Sequence, residues 1–542
     1  MKKLIPISVS ILLLAGCKSK SEEQDTSEVQ VDSVTIGNSI QQLASDDFQG
    51  RKPFTEGEEK TTAYLKEQFS KLGLQPGNGD SYFQQVPMVA ITGTPSEKMK
   101  ISGNGKNIDL QYFDDFVAVS RKTDSVVDLK NSELVFAGYG IVAPEYGWDD
   151  YKGIDWKGKT AVVLVNDPGF ATQDSTLFKG NTMTYYGRWT YKYEEAARHG
   201  AAGLLIIHET KPASYGWNVV QSSWSGSKLS LESDAPKIDV RGWITHEAAQ
   251  QIFEAAGMGD KDYKEMALHK DFKPVPLGLK ASVSIHNKVK RDSSKNVVAL
   301  LPGTDRKDEY IIYSAHWDHL GIGRPVNGDS IYNGAVDNAS GVASMLAIAQ
   351  AFTKDKKPER SVVFLAVTGE EQGLLGSEYY AAHPIYPPKK TVADINMDAL
   401  SSPGPMKDLT ITGYGQSEMD EYAKEAADKQ GRYIIPDPEP EKGHFFRSDH
   451  FSFAKIGIPA LYASGAHEDF AHGKDFVTKM NEDYEAHKYH QPQDEYDPKT
   501  FVLSGIRFDA QLLYNIGKRL ANEDTFPKWY DDSEFKAARQ NE

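Results

Sequence analysis

The chain has a single cysteine, Cys17, among 542 residues. An intrachain disulfide, a paired-thiol redox motif and a thiolate zinc site are therefore all excluded. It has no surplus of positive charge: Lys+Arg 61 against Asp+Glu 77 leaves a formal net charge of −16 at pH 7. No basic stretch offsets this, which argues against a nucleic-acid partner. Beyond the first residues no apolar run approaches the roughly 18 residues that a membrane-crossing helix needs. Low complexity is absent too, since Gly 45 and Pro 26 are ordinary usage at this length. What is present, 39% hydrophobic and 11% aromatic residues, is enough to bury a real core, and the length implies several domains or a large core carrying an insertion.

Lys2 and Lys3 precede an apolar run over 4–16, the shape of a secretory signal and too short to span a bilayer. Leu14-Ala15-Gly16-Cys17 resembles the bacterial lipobox. That resemblance implies cleavage before Cys17 and lipidation of that residue. Residues 17–32 are polar, charged and without period, and read as a flexible tether. The expected product is an exported body, lipid-anchored in a bacterial cell envelope at the outer membrane or cell surface.

From 33 the pattern reads helix, turn, helix, extended segment, with Ala63, Leu65, Phe69 and Leu72 as a buried stripe and Gly73 as a stop. Between about 133 and 281 short β-rich runs (LVFAGYGIV, TAVVLV, AGLLIIH) are separated by Asp, Gly and Pro. This region, with YKYEEAARHGAAGLLIIH at its centre, resembles the protease-associated domain. The resemblance implies a non-catalytic lid or binding module inserted in a peptidase. From 296 onward the apolar runs NVVALL, YIIYSA, SVVFLAV, TVADIN, LTIT and ALYAS alternate with helical patterns, one marked by Val342, Leu346, Ala349 and Phe352 and a second over about 418–429. Such alternation predicts an α/β fold, a three-layer sandwich around a mostly parallel sheet. The expected organisation is signal peptide 1–16, tether 17–32, catalytic part 33–130, inserted domain 131–283, main catalytic part 284–530 and a tail 531–542.

In such a fold ligands sit where strands end, and the strand exits here are acidic and imidazole-rich. YIIYSA runs into His316-Trp317-Asp318-His319, SVVFLAVT into Gly369-Glu370-Glu371, TVADINM into Asp398, and Asp337 stands where a loop enters a helix. One acid at a strand end is ordinary surface, but four such groups suggest a converging metal site. Asp318 lies two residues beyond His316, on the same face of an extended strand, so its carboxylate can orient the imidazole. Glu370 and Glu371 must diverge, which suits one ligand and one base, and spacing alone leaves open which is which.

The ordered segments SAHWDHLG, NGAVDNASGVASML, VTGEEQGLLGSEYY, INMDAL, RSDHFSF and KYHQPQDEYD resemble the di-zinc aminopeptidase family, metallopeptidase family twenty-eight. That family also holds glutamate carboxypeptidase-like enzymes and relatives of glutaminyl cyclase. Carried over motif by motif, the resemblance implies two zinc ions held by His316, Asp337, Glu371, Asp398 and His490, with Asp337 bridging. It makes Glu370 the general base for a hydroxide between the ions, Tyr489 a donor to the tetrahedral oxyanion and Arg447 a residue lining the substrate pocket. Among His467, His472, His487 and His490, only His490 fits the motif. The implied function is a zinc-dependent exopeptidase acting on peptides, an aminopeptidase first, a carboxypeptidase or other amide hydrolase second. A metal-free receptor of the same fold is the non-enzymatic alternative, disfavoured because a binding scaffold has no need of several carboxylates facing one cavity.

Overall fold

The computed structural model describes residues 28–400 and 403–540, so the signal peptide, Cys17 and most of the tether lie outside the described residues. The tether's described end is docked rather than free. Val31 is buried and its N–H donates to Gln511 Oε1 at 2.7 Å, and Asp32 caps the first helix through Val34 N. Among the described residues no helix is long and apolar enough to cross a membrane.

Every apolar run read from 296 onward lies in a strand. In chain order the main body is built from α1 (Ser33–Leu43), α2 (Glu56–Lys71), β1 (Phe83–Pro95), β2 (Val275–Leu301), β3 (Arg306–His316), α3 (Gly341–Lys354), β4 (Arg360–Val367), β5 (Thr391–Asn396), β6 (Asp408–Ile411), β7 (Tyr433–Pro436), β8 (Ala460–Ser464) and α4 (Leu503–Asn522). The sheet runs β1-β2-β4-β3-β5-β8-β6-β7. Its centre, β4-β3-β5-β8, is parallel, while β1-β2, β2-β4 and β8-β6 are antiparallel. Successive side chains of a strand point to opposite faces, and the two cores follow that alternation. Ile311, Tyr313, Ala315, Val362, Phe364 and Ala366 pack on α1–α4. Ile312, Val363, Leu365 and Val367 pack on Tyr380 and Phe453 on the other side. With helices on both faces the sandwich has three layers. In α2 the buried face is Thr61, Thr62, Leu65 and Phe69, while Ala63 is exposed and Leu72 half-buried. The stripe follows positions 61, 65 and 69, four residues apart, and Ala63 falls off it.

A second body packs around its own cores, drawn from 99–285. Its centre is the parallel set Thr160–Leu164, Gly203–Ile207 and Val240–Ile244, with Phe116–Val119 antiparallel to the last. Met99, Ile101, Leu110, Phe116 and Ala118 belong to this core although their segment precedes the expected boundary at 131. Sheet register explains this: Lys98–Gly103 pairs with β2 rather than with the main sheet. β2 itself, 27 residues long, pairs with Val126–Phe136 at one end and with β4 at the other, so one strand ties the two bodies. The expected tail is also anchored, with Phe535 buried against Phe445 and Phe451.

One buried cation holds the N-terminal segment against the sheet's C-terminal end. The turn Asp46–Arg51 takes positive φ at Gln49, Gly50 and Arg51; a Cβ on Gly50 would meet Tyr332 O at 2.4 Å. This bend sends Arg51 inward, where it is 1% exposed. Its guanidinium donates to Trp317 O (2.9 Å), Leu43 O (2.8 Å), Asn333 O (2.5 Å) and Gly334 O (2.9 Å). Burial pushes its pKa down to about 10 against the opposing pull of Asp337, Asp494, Asp318 and Glu371. Replacing Arg51 by Met strips these carbonyls of their donor, and the variant is expected to lose about 3–5 kcal/mol of stability. Denaturant unfolding of the two proteins checks this; a loss below about 1 kcal/mol contradicts it.

Candidate metal centre

The acidic strand exits converge. His316 ends β3, Glu370 and Glu371 lie in the short turn Glu370–Gln372 after β4, Asp398 follows β5 by two residues, and Asp337 lies in the tight turn leading into α3. Parallel strands bring their C-terminal ends to one edge, which is why four distant segments meet there. His490 arrives from the loop after the helix Lys474–His487, with a left-handed backbone at φ 56°.

Asp337 is the hub. Its Oδ1 lies 3.3 Å from His316 Nε2 and its Oδ2 lies 3.2 Å from His490 Nε2. On the first side Asp398 Oδ1 is 3.1 Å from His316 Nε2; on the second Glu371 Oε2 is 3.2 Å from His490 Nε2. The result is two triads sharing one carboxylate, His316/Asp337/Asp398 and His490/Asp337/Glu371. Each triad has the donor types zinc favours.

The surroundings fix each group. His316 Nδ1 lies 3.1 Å from the main-chain oxygen of Asp318, so the proton belongs on Nδ1 and the Nε2 lone pair faces the acids. This corrects the role expected for the Asp318 side chain: its carboxylate is 3.9 Å from Nδ1 and instead accepts from Glu370 N at 3.1 Å. The strand has ended by then, and the carboxylate turns toward the next loop. Asp494 accepts from the main-chain N–H of Val336 and Asp337 (3.0–3.1 Å), holding the turn that presents Asp337. Ser448 Oγ donates to Asp398 Oδ2 at 2.6 Å. At Gly334, φ +59°, an added Cβ would meet Asp337 O at 2.1 Å and His319 Cδ2 at 2.6 Å.

Electrostatics follow the crowding. Burial opposes protonation of His316, but Asp398 and Glu370 outweigh it and hold the imidazole well above its ordinary range. Burial would raise Asp337, yet its contacts with His316 and His490 hold it well below the usual carboxylate range. Burial, reinforced by Asp398 and Glu371 and only partly opposed by His316, pushes Glu370 well up. Burial also pushes Asp318 up to about 7.

Other predicted residues fall as follows. Tyr489 is 46% exposed and stacks on the His490 ring at 3.9 Å. Arg447 lies outside both triads and donates to Lys442 O at 2.6 Å. His472 and His487 pair with Asp469 and Asp483 away from the centre. One buried histidine in the centre had been given no role: His319 Nδ1 is 2.6 Å from Glu371 Oε1, and its Nε2 is buried without a partner. His319 thus turns the second Glu371 oxygen toward His490, and with Asp337 and Glu371 it forms a further cluster able to hold a metal. Arg51 and Tyr462, whose phenol donates to Asp398 O at 3.4 Å, also escaped notice. For His319 the signal was present in the run from His316 to His319; for the other two it was not.

Among curated proteins, mouse Aminopeptidase NAALADL1 is 35% identical over 129 residues, 23% of this chain and 16% of that protein. Carboxypeptidase Q of Xenopus laevis is 28% identical over 268 residues, 48% of this chain and 46% of that protein. The chain thus spans less than half the length of these relatives. Among solved structures, an aminopeptidase from Aneurinibacillus sp. strain AM-1 aligns at a TM-score of 0.49 and 22% identity, covering 92% of this chain and 96% of that one. Residues 296–502, which supply both triads, match the model of Peptidase family M28, and over this stretch the chain is a Peptidase family M28 protein.

Proposed function

We propose that the protein is a zinc-dependent exopeptidase, most directly an aminopeptidase, with two zinc ions per chain. The observation that carries the reading is the sharing of Asp337 between two opposed His–carboxylate triads. Three buried carboxylates within hydrogen-bond reach of two imidazoles form a strongly acidic donor set, and such a set fits divalent cations. His316, Asp337 and Asp398 would hold one ion; His490, Asp337 and Glu371 the other. Zinc, when bound, supplies Lewis-acid polarisation of the scissile carbonyl and makes water easier to deprotonate.

The rest is the work of this chain's own side chains. The Glu370 main chain is held by Asp318, and its carboxylate lies outside both triads, free to handle protons. It takes a proton from the attacking water as the new C–O bond forms and delivers it to the amine nitrogen as the C–N bond breaks. Tyr489, fixed by stacking on His490, donates to the developing oxyanion. Asp494 and His319 keep Asp337 and Glu371 in place. The inserted body serves as a lid or binding module over the cleft. Lipidation at Cys17 anchors the protein at the outer membrane or cell surface. The likeness to Carboxypeptidase Q keeps a carboxypeptidase on the same site as the second reading.

The two adjacent glutamates separate base from ligand. Glu370→Gln should keep its zinc and lose about 10²- to 10⁴-fold in turnover. Glu371→Gln should weaken zinc affinity and recover in part with added zinc. Zinc content and peptide kinetics of both variants decide this; loss of zinc in Glu370→Gln with retention in Glu371→Gln exchanges the roles. For the anchor, Cys17→Ser should move from the membrane to the soluble fraction with peptidase activity unchanged. A variant that still sediments with membranes contradicts lipidation.

A further inference from the structure

The two bodies meet over a largely satisfied interface. Met183 N donates to Pro440 O at 3.1 Å, Asn181 Nδ2 to Glu441 Oε2 at 3.1 Å, and Lys455 pairs with Glu194 at 3.2 Å. One part of it is not satisfied. A small enclosed cleft between the bodies is lined by Arg188, Trp189, Pro212 and Tyr215 of the inserted body and Arg447 of the main body.

Neither arginine there has a carboxylate partner. Arg188 Nε is buried without a hydrogen-bond partner, and among the described residues the contact its guanidinium makes is with the Trp189 ring, 5.6 Å away. Arg447 gives one hydrogen bond, to the main-chain oxygen of Lys442. The pairing with Asp449 that sequence neighbourhood allows is not made, since Asp449 accepts from Ser377 Oγ at 2.6 Å. Asp437, near Arg447, pairs with His444 at 3.3 Å. Burial and the charge of Arg447 push Arg188 down to about 10, with the Tyr215 phenol the opposing influence. Two guanidinium groups set against each other in a desolvated cleft repel, and folding gains nothing from the arrangement. An anion between them reverses the sign. A planar carboxylate suits a guanidinium fork best, because it accepts two parallel hydrogen bonds.

The cleft's place gives that anion a meaning. Arg447 immediately precedes Ser448, whose hydroxyl holds Asp398, so the cleft adjoins the metal centre. Arg188 comes from the inserted body, so the pair closes across the junction of the two bodies.

We propose that Arg188 and Arg447, with the Tyr215 phenol, form a subsite for a carboxylate of the peptide substrate, so that carboxylate-bearing peptides are the favoured class. The proposal rests on the peptidase reading above for its consequence in turnover, and on the cleft alone for binding. The carboxylate is either the free C-terminus of a short peptide or an Asp/Glu side chain, and both present the same group to the cleft.

The test compares three tripeptides sharing the same N-terminal residue: one with a free C-terminus, its C-terminal amide, and an amide carrying an internal Glu. The zinc-loaded wild type should show a KM at least about tenfold lower for one carboxylate-bearing peptide than for the plain amide. Which one it is names the source. In Arg188→Met and Arg447→Met that KM ratio should collapse toward one, and in Arg188→Lys, which keeps the charge but loses the fork, it should fall part way. Calorimetric titration with N-acetylglutamate supplies a readout that needs no cleavage, and Arg188→Met should weaken it about tenfold or more. Tight N-acetylglutamate binding lost in Arg188→Met, with no peptide cleaved by the wild type, sinks the peptidase reading and leaves the subsite standing. A wild-type KM ratio of one, or binding that survives in Arg188→Met, overturns the subsite. Should Arg188→Met fail to fold, the Arg188→Lys and Arg447→Met results decide by the same criteria.

Discussion

Asp337 facing His316 with one oxygen and His490 with the other is the contact on which the rest of the site depends. A carboxylate so placed has no freedom left: both oxygens are committed, the side chain is 7% exposed, and its main chain is held from behind by Asp494. The other donors are set relative to it. Asp398 is tied through Ser448, Glu371 through His319. Loosening any of these ties turns a donor away from the shared centre, so the supporting residues matter to the site without touching a substrate.

The fold meets the cost of collecting so many acids in one place. The parallel β4-β3-β5-β8 core brings the strand exits together, and Arg51 sits behind them, spreading its hydrogen bonds over the loops that carry Trp317, Asn333 and Gly334. A buried cation beside this acidic cluster lowers its repulsion without occupying the donor oxygens, because its own hydrogen bonds go to main-chain carbonyls. The double connection through β1 and β2 then carries the second body to the same edge. This is how Arg188 comes to face Arg447 beside the metal centre.

Much of this was legible in the sequence, for a physical reason. Buried strands of a covered sheet must be short apolar runs, and residues that end them must lie at one edge, so both the sandwich and the positions of His316, Glu370, Glu371, Asp337 and Asp398 follow from pattern. What escaped depends on contacts that pattern does not encode. Arg51 turns inward because Gln49, Gly50 and Arg51 adopt positive φ, and a surface arginine looks the same in one dimension. The Asp318 carboxylate misses His316 because the strand stops there. The inserted core starts at Met99 because Lys98–Gly103 pairs with β2, a partner more than 170 residues away. Tyr462 was read simply as part of an apolar strand.

The most direct test of the account is the zinc content of the purified chain, measured by elemental analysis after loading and removal of unbound metal, for the wild type and for Asp337→Ala side by side. If Asp337 joins two metal sites, the wild type holds about two zinc ions per chain and the variant loses affinity for both. A wild type that retains no zinc, or an Asp337→Ala protein that binds both ions as tightly as the wild type, contradicts it.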